Sequence, residues 1–222
     1  MMESSALSVS PDVGNALFGE EHAAAFTLIV SGPSGVGKTS ICNKVIKGVA
    51  CVCDLVTTTT RARRKGEVDG VDYHFVSDAE YDAFLEADEF LEHADVHEAR
   101  YGATKASFAT ALEGADVVLL EVDVQGARSW QETLGSRCVS IFLLPPSLEE
   151  LENRLTGRKS EGEASLRMRM ENAHAEMALA PTYDYVIVNR ELNQAIHDVQ
   201  SVIVAERSRP DRQVQILDSL GI

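Results

Sequence analysis

The sequence predicts an α/β fold, a parallel sheet flanked by helices with an inserted mixed α+β unit. Three observations lead there. Apolar, β-branched runs alternate with helical periodicity along most of the 222 residues, the pattern of strands joined by crossover helices. One run, residues 26–30, leads directly into Gly32-Pro33-Ser34-Gly35-Val36-Gly37-Lys38-Thr39 and then into a short helix over 38–47. Residues 57–103 break the alternation, with short strands and no long helix.

The octet fits G-x-x-x-x-G-K-[ST], the phosphate-binding loop. Its glycines let the backbone curl so that successive N–H groups point at phosphate oxygens. The helix that follows turns its positive end, at Ser40 and its neighbours, to the same anion. Lys38 is placed to reach the β- and γ-phosphates and Thr39 to ligate Mg²⁺. A plain Gly-rich turn is the simpler alternative, but the full format between a strand and a helix favours binding of a nucleoside triphosphate.

The remaining elements follow in order. Residues 49–56 are apolar and read as a strand. Residues 72–76 alternate as a strand. Ser77 and Glu80 form a capping box that opens a helix to about 87. Residues 90–96 are a further strand, and Thr104 caps a helix to 113. The run 117–122 is apolar except for Glu121, as a buried parallel strand should be. A helix over 125–134 and a strand over 138–144 come next, the latter stopped by Pro145-Pro146. Ser147 and Glu150 form a second capping box for a helix with Leu148, Leu151 and Leu155 on one stripe. Residues 156–163 are polar and read as flexible. Then come a helix over 164–179, a strand over 185–188 and a helix over 192–206, with 207–222 ambiguous.

Net charge is 20 − 35 = −15. Such a surface repels nucleic acid and anionic membrane, so neither is expected as a partner. A phosphate ligand needs a local positive cluster, and Arg61, Arg63, Arg64 and Lys65 supply one. Arginine presents a planar fork that suits phosphate oxygens. A solvated basic patch is the alternative; the neighbouring threonines and Tyr73 add hydroxyl donors that favour an anion pocket. No run is long and apolar enough to span a bilayer, and residues 1–21 lack a basic leader segment. Residues 1–24 are expected to be a mobile tail. Cys42, Cys51, Cys53 and Cys138 are expected to be reduced core residues of a cytoplasmic protein. His93 and His97 are four apart, a weak metal pattern in a strand-like context.

The segment Thr57-Thr-Thr-Thr-Arg61-x-x-Arg64-x-Gly66-Glu67-x-x-Gly70-x-Asp72-Tyr73-x-Phe75 resembles the monophosphate-binding segment of guanylate kinases. The likeness continues through Glu89-Phe-Leu-Glu92, Tyr101-Gly102, Leu120-Glu-Val-Asp123-Val-Gln-Gly126, Pro145-Pro-Ser147, Arg154-Leu-x-Gly-Arg158 and Val186-Ile-Val-Asn189, over about residues 26–207. It implies a P-loop NTPase-type core at 25–56 and 105–222, a short lid at about 155–170, and a GMP-binding insertion at 57–104. It further implies phosphoryl transfer from ATP to GMP or dGMP with Mg²⁺, by a monomer or homodimer in purine nucleotide metabolism.

By motif position, the resemblance gives ATP to Gly32, Pro33, Ser34, Gly35, Val36, Gly37, Lys38, Thr39, Ser40, Arg154 and Arg158. It gives the GMP phosphate to Arg61, Arg64, Tyr73, Thr57 and Tyr101, and the guanine to Glu92 and Asp123. Guanine presents two adjacent donors and carboxylates only accept, so the pairing is chemically apt; adenine would leave both unpaired. Without the resemblance, Glu92 reads as an exposed charge and Asp123 as a helix cap. Lys38, Arg61, Arg158 and Arg169 are the expected catalytic cations, stabilising charge spread over the transferring phosphoryl group. Two departures stand out. Ala103 replaces the usual Ser or Thr beside the guanine, and the lid reads Arg158-Lys-Ser-Glu-Gly-Glu163 in place of an Arg-Gly-Thr/Ser-Asp/Glu pattern. A non-catalytic binding module, a kinase for another monophosphate and a GTPase are the rival readings. The intact loop, the acceptor pair and the second anion site respectively argue against them.

Overall fold

The computed structural model describes residues 16–19, 22–96, 99–156 and 163–222. Five strands form one wholly parallel sheet: β1 (Phe26–Ser31), β2 (Val52–Asp54), β7 (Val117–Glu121), β8 (Cys138–Leu144) and β9 (Tyr185–Val188), in the order β2-β7-β1-β8-β9. Alternate residues of β1 feed two cores. Phe26, Leu28 and Val30 meet α1 (Lys38–Gly48) and α7 (Leu192–Arg207) through Ile41, Val45, Ala195 and Val199. Ile29, with Val118 and Leu120, meets α3 (Lys105–Gly114) and α4 (Val124–Leu134) through Phe108, Ala127 and Trp130. Burial on both faces is why these strands carry continuous apolar runs. Because the strands are parallel, the loop after β1 and the residues after β7, β8 and β9 gather at one edge.

A second sheet lies within the segment between β2 and β7. It contains β3 (Thr58–Thr59), β4 (His74–Phe75), β5 (Phe90–Val96) and β6 (Ala99–Thr104), in the order β4-β3-β6-β5. Helix α2 (Asp78–Glu86) begins at the expected capping box, closed in both directions between Ser77 and Glu80. Tyr81 of α2 is buried and donates to the Tyr101 carbonyl at 2.8 Å. Helices α5 (Leu148–Thr156) and α6 (Glu163–Met177) share a separate small core of Leu151, Leu155 and Ala173. A final short helix, α8 (Val214–Ser219), follows a 3-10 turn at Pro210–Arg212.

Several expectations need correction. The strand expected over 49–56 shrinks to Val52–Asp54, because Val49 closes α1 by donating to the Val45 carbonyl. β3 and β6 were not expected at all. The mobile tail expected through residue 24 does not describe Phe18, which is 1% exposed and packs edge-on against Phe108 with ring centroids 5.5 Å apart. At the second capping box, the Glu150 N–H does reach Ser147 Oγ at 3.1 Å, but the Glu150 carboxylate turns to Arg154. Leu148 leaves its expected apolar stripe and is 46% exposed. All four cysteines are free, yet only Cys42 is fully buried. No helix among the described residues is long and apolar enough to cross a membrane.

Candidate active site

The loop between β1 and α1 has the backbone its glycines allow. Gly32, Gly35 and Gly37 have φ of 143°, 86° and 102°, a region that disfavours side chains. Space adds to the demand. A Cβ on Gly32 would lie 2.5 Å from the Leu143 carbonyl oxygen, and one on Gly37 would lie 2.8 Å from Asn189 Nδ2. Lys38 folds back along the loop and donates to the carbonyls of Gly32 at 2.6 Å and Pro33 at 3.4 Å. Burial lowers its pKa from the ordinary lysine value, opposed by the charges of Glu121 and Glu176. Val36 is buried in the core and Ser40 is exposed at the cleft.

Thr39 Oγ1 donates to Glu121 Oε1, the last residue of β7, at 2.8 Å. Two residues on, Asp123 caps α4. Its Oδ1 accepts from the N–H groups of Gln125 at 3.0 Å and Gly126 at 2.8 Å. Cap and cleft residue are therefore compatible in one side chain, because Oδ2 keeps no hydrogen bond among the described residues and Asp123 lines the cleft.

Arg154 and Asn189 brace the loop from behind. Asn189 is 5% exposed and donates to the Val36 carbonyl at 2.8 Å. Arg154 reaches the same carbonyl and that of Asn189, each at 3.4 Å, and pairs with Glu150 at 3.0 Å. Arg169 of α6 donates to Ser34 Oγ at 3.2 Å. Arg158 lies outside the described residues, as does His97.

The second sheet gathers the other expected residues. Arg61 forms a two-pronged pair with Glu67, at 2.8 and 3.2 Å, and its guanidinium carbon lies 5.4 Å from the Tyr73 ring centre. Tyr73 and Tyr101 stand edge to face, 5.9 Å apart. Arg64 is exposed, with its backbone N–H donating to Glu67 Oε2 at 2.7 Å. Thr57 is half-buried, and its carbonyl accepts from the His74 N–H at 2.8 Å. Glu92 sits beside a register shift in β5 and opposite Ala103 of β6. Its carboxyl makes no hydrogen bond among the described residues. Burial, and then the neighbouring Asp123 charge, push it up to about 7. Glu92 of the second sheet thus lies near enough to Asp123, in the turn after β7, for the Asp123 charge to act on it. His93 is exposed, and no cluster of three or more His, Cys, Asp or Glu among the described residues could hold a metal ion.

Sequence reasoning missed four contributors. Glu121 was legible as the single acid at the end of an apolar strand. Glu67 and Asn189 lay in recognised motifs without an assigned role. Glu176 lines the phosphate-loop cleft from α6 and carried no sequence signal.

A glycine loop that joins a parallel strand to a helix, with Lys38 and Thr39 at its mouth, defines a P-loop nucleotide-binding protein. The family described as guanylate kinase matches residues 24–206. Guanylate kinase of Paramagnetospirillum magneticum is 41% identical over 86% of this chain and 89% of its own. That of Clostridioides difficile is 40% identical over 86% and 92%. A crystal structure of guanylate kinase from Anaplasma phagocytophilum superposes with a TM-score of 0.68 at 31% identity, covering 89% of this chain and 95% of that one. The chain belongs to the guanylate kinase family.

Proposed function

We propose that the chain transfers the γ-phosphoryl group of ATP to GMP or dGMP, giving ADP and GDP or dGDP. The observation that carries this reading is the coupled pair Glu92 and Asp123. Glu92 belongs to β5 of the second sheet, and Asp123, at the turn after β7, lines the cleft of the phosphate loop and bears on the Glu92 charge. Two acceptor-only groups match the N1–H and exocyclic amine of guanine. In this reading Arg61, Arg64, Tyr73, Thr57 and Tyr101 hold the acceptor phosphate, while the loop and Lys38 hold the donor. Arg169, already at Ser34, stabilises the moving phosphoryl charge, with Arg154 bracing the loop beneath.

The residues present fit Mg²⁺. Thr39 gives its hydroxyl proton to Glu121 and so keeps oxygen lone pairs for a hard cation beside the anion loop. Thr39 would hold Mg²⁺ there with ATP, and the ion would supply positive charge against the phosphate oxygens. The reading extends to a cytoplasmic enzyme, monomer or homodimer, that acts on free nucleotides and not on nucleic acid or membrane. The net charge of −15 supports the part of this reading that concerns nucleic acid and anionic membrane.

The test is ADP release from ATP–Mg²⁺ with GMP, AMP, CMP and UMP supplied in turn. Turnover with GMP alone is expected. Binding of ATP without any stimulated release would make the chain a binding module. In the same assay Lys38→Ala should lose about 10²-fold or more in kcat, as expected for a group that stabilises transition-state charge.

A further inference from the structure

Strand β3 ends at Thr59, which is 0% exposed. Its hydroxyl donates to the Arg100 carbonyl of β6 at 2.9 Å and accepts the Arg61 backbone N–H at 3.1 Å. The second contact runs from a hydroxyl to the N–H two residues on, a turn closed by a side chain. The first contact ends on a fixed point, because the Arg100 guanidinium is forked to α2 through Asp78 at 2.9 Å and Asp82 at 2.6 Å. Phe75 of β4 and Tyr101 of β6 pair with Thr59 from either side. Both belong to the aromatic group around Arg61. The Arg61 guanidinium carbon lies 5.8 Å from the Phe75 ring centre and 5.4 Å from that of Tyr73, which stands against Tyr101. One buried hydroxyl therefore ties the backbone of Arg61 to the strands whose rings receive its side chain.

We propose that Thr59 is a positioning residue for the acceptor nucleotide: its hydroxyl sets the backbone of Arg61, and through it the guanidinium that meets the GMP phosphate. The proposal rests on reading Arg61 as a phosphate holder. Glu67, Tyr73 and Phe75 act on the far end of the Arg61 side chain. Thr59 acts on the near end. A forked contact with phosphate has strict geometry, and a small tilt at Cα is magnified along a side chain as long as arginine's. Removing the hydroxyl would be felt mainly at Arg61. The Arg100 carbonyl would keep a donor, since it also accepts the Thr60 N–H at 3.1 Å. The Arg61 N–H would lose its acceptor. The loss is thus directed at one residue and not at the sheet.

The experiment is a double-mutant cycle on the full chain, read by steady-state kinetics with GMP and ATP–Mg²⁺. Thr59→Val keeps a β-branched shape suited to a strand and removes the hydroxyl. It is expected to raise KM for GMP about tenfold, a smaller loss than that of Arg61→Ala, as for a misplaced rather than a missing group. KM for ATP should stay within about twofold, because the donor site is separate. Thr59→Ser restores the hydroxyl and should recover KM for GMP to within about threefold. In an Arg61→Ala background, Thr59→Val should change kcat/KM for GMP by less than about twofold, since there is no guanidinium left to place. Thr59→Ala, which also lacks the hydroxyl, gives the same reading in both backgrounds should the valine variant prove unstable. An unchanged KM for GMP in Thr59→Val would overturn the proposal, and so would Thr59→Ser behaving like Val, which would implicate the methyl group. An equal loss in both backgrounds would also overturn it, because the hydroxyl would then act through the sheet and not through Arg61. If Arg61→Ala alone left GMP kinetics unchanged, the reading of Arg61 would fail and the proposal with it. That result is distinct from a failure at Thr59 alone.

Discussion

Thr39 Oγ1 and Glu121 Oε1 meet at 2.8 Å, tying the first turn of α1 to the last residue of β7. The loop's metal-binding hydroxyl is thus oriented by the neighbouring strand. Thr39→Val keeps the side-chain shape and removes this oxygen. Half-saturation with Mg²⁺ should require about tenfold more metal or beyond, the scale of a lost orienting contact. Thr39 is exposed, so stability should move by no more than about 0.5 kcal/mol. An unaltered Mg²⁺ dependence would remove Thr39 from the metal site.

Arg61 is held for its task by Glu67 in a two-pronged pair. Arg61→Ala should lower kcat/KM for GMP by about 10²- to 10³-fold, the usual loss for one charge-stabilising donor. ADP affinity should not change. Arg61→Lys should recover little, because an ammonium cannot make the forked contact. Full activity in Arg61→Lys would mean that charge alone suffices.

Glu92 predicts a pH signature. Burial and Asp123 raise it to about 7, against 4.5 for the free side chain. Between those values the native protein holds a proton that the unfolded chain has released. Stability from this site is full below about 4.5 and is lost as pH rises through about 7. Glu92→Gln should therefore gain stability relative to the unsubstituted chain across that window, measurable by urea unfolding at pH 5 and pH 7.5. Binding should show the reverse trend. A carboxylate accepts from guanine and a carboxylic acid does so poorly, so KM for GMP should climb as pH falls below about 7 while KM for ATP changes less. A flat GMP profile from pH 6 to 8 would refute the base contact or the raised pKa.

Residues far from the loop carry a stability prediction. Arg212 and Glu206 form a buried pair at 3.2 Å, with side chains 4% and 5% exposed. The guanidinium carbon lies 4.0 Å from the ring centre of Phe26, at the opposite end of β1 from the phosphate loop. Tyr185 also donates to Glu206, at 2.5 Å. Arg212→Ala leaves the buried carboxylate with only the longer pairing to Arg209, at 3.8 Å, and should cost about 3 kcal/mol in chemical denaturation. Turnover at 25 °C should be unchanged in the fraction that remains folded.

What could be read from the sequence was local. The cap at Ser77 lies within the four residues that make it, and the apolar run of β8 declares its own burial. The phosphate loop carries its format in eight consecutive residues. β6 could not be read this way. Ala99–Thr104 contains an arginine and a glycine and has no period-2 pattern. It is a strand because β5 and β3 pair with it on either side. Thr58–Thr59 is too short to show any period. Phe18 looked like part of a polar tail because its partners, Phe108 and Arg137, lie about 90 and about 120 residues away. The site divided in the same manner. Motif positions supplied Lys38, Thr39 and Arg61, whereas Glu176 becomes a cleft residue only once α6 has folded against the loop.

The placement of the second sheet has a consequence for folding kinetics. β2 and β7 are neighbours, with Val52 opposite Val117, yet the whole second sheet and α3 lie between them in the chain. Closing that pair directly would be a long-range event, slow for entropic reasons. β5 and β6 pair antiparallel with Val96 opposite Ala99, a hairpin of short sequence separation. It can form early and shorten the loop that β2 and β7 must close. Substitutions that weaken this hairpin, such as a bulkier residue at Gly102 where a Cβ would lie 2.6 Å from the Phe90 ring, should slow refolding of the main sheet although none of its own contacts has been touched.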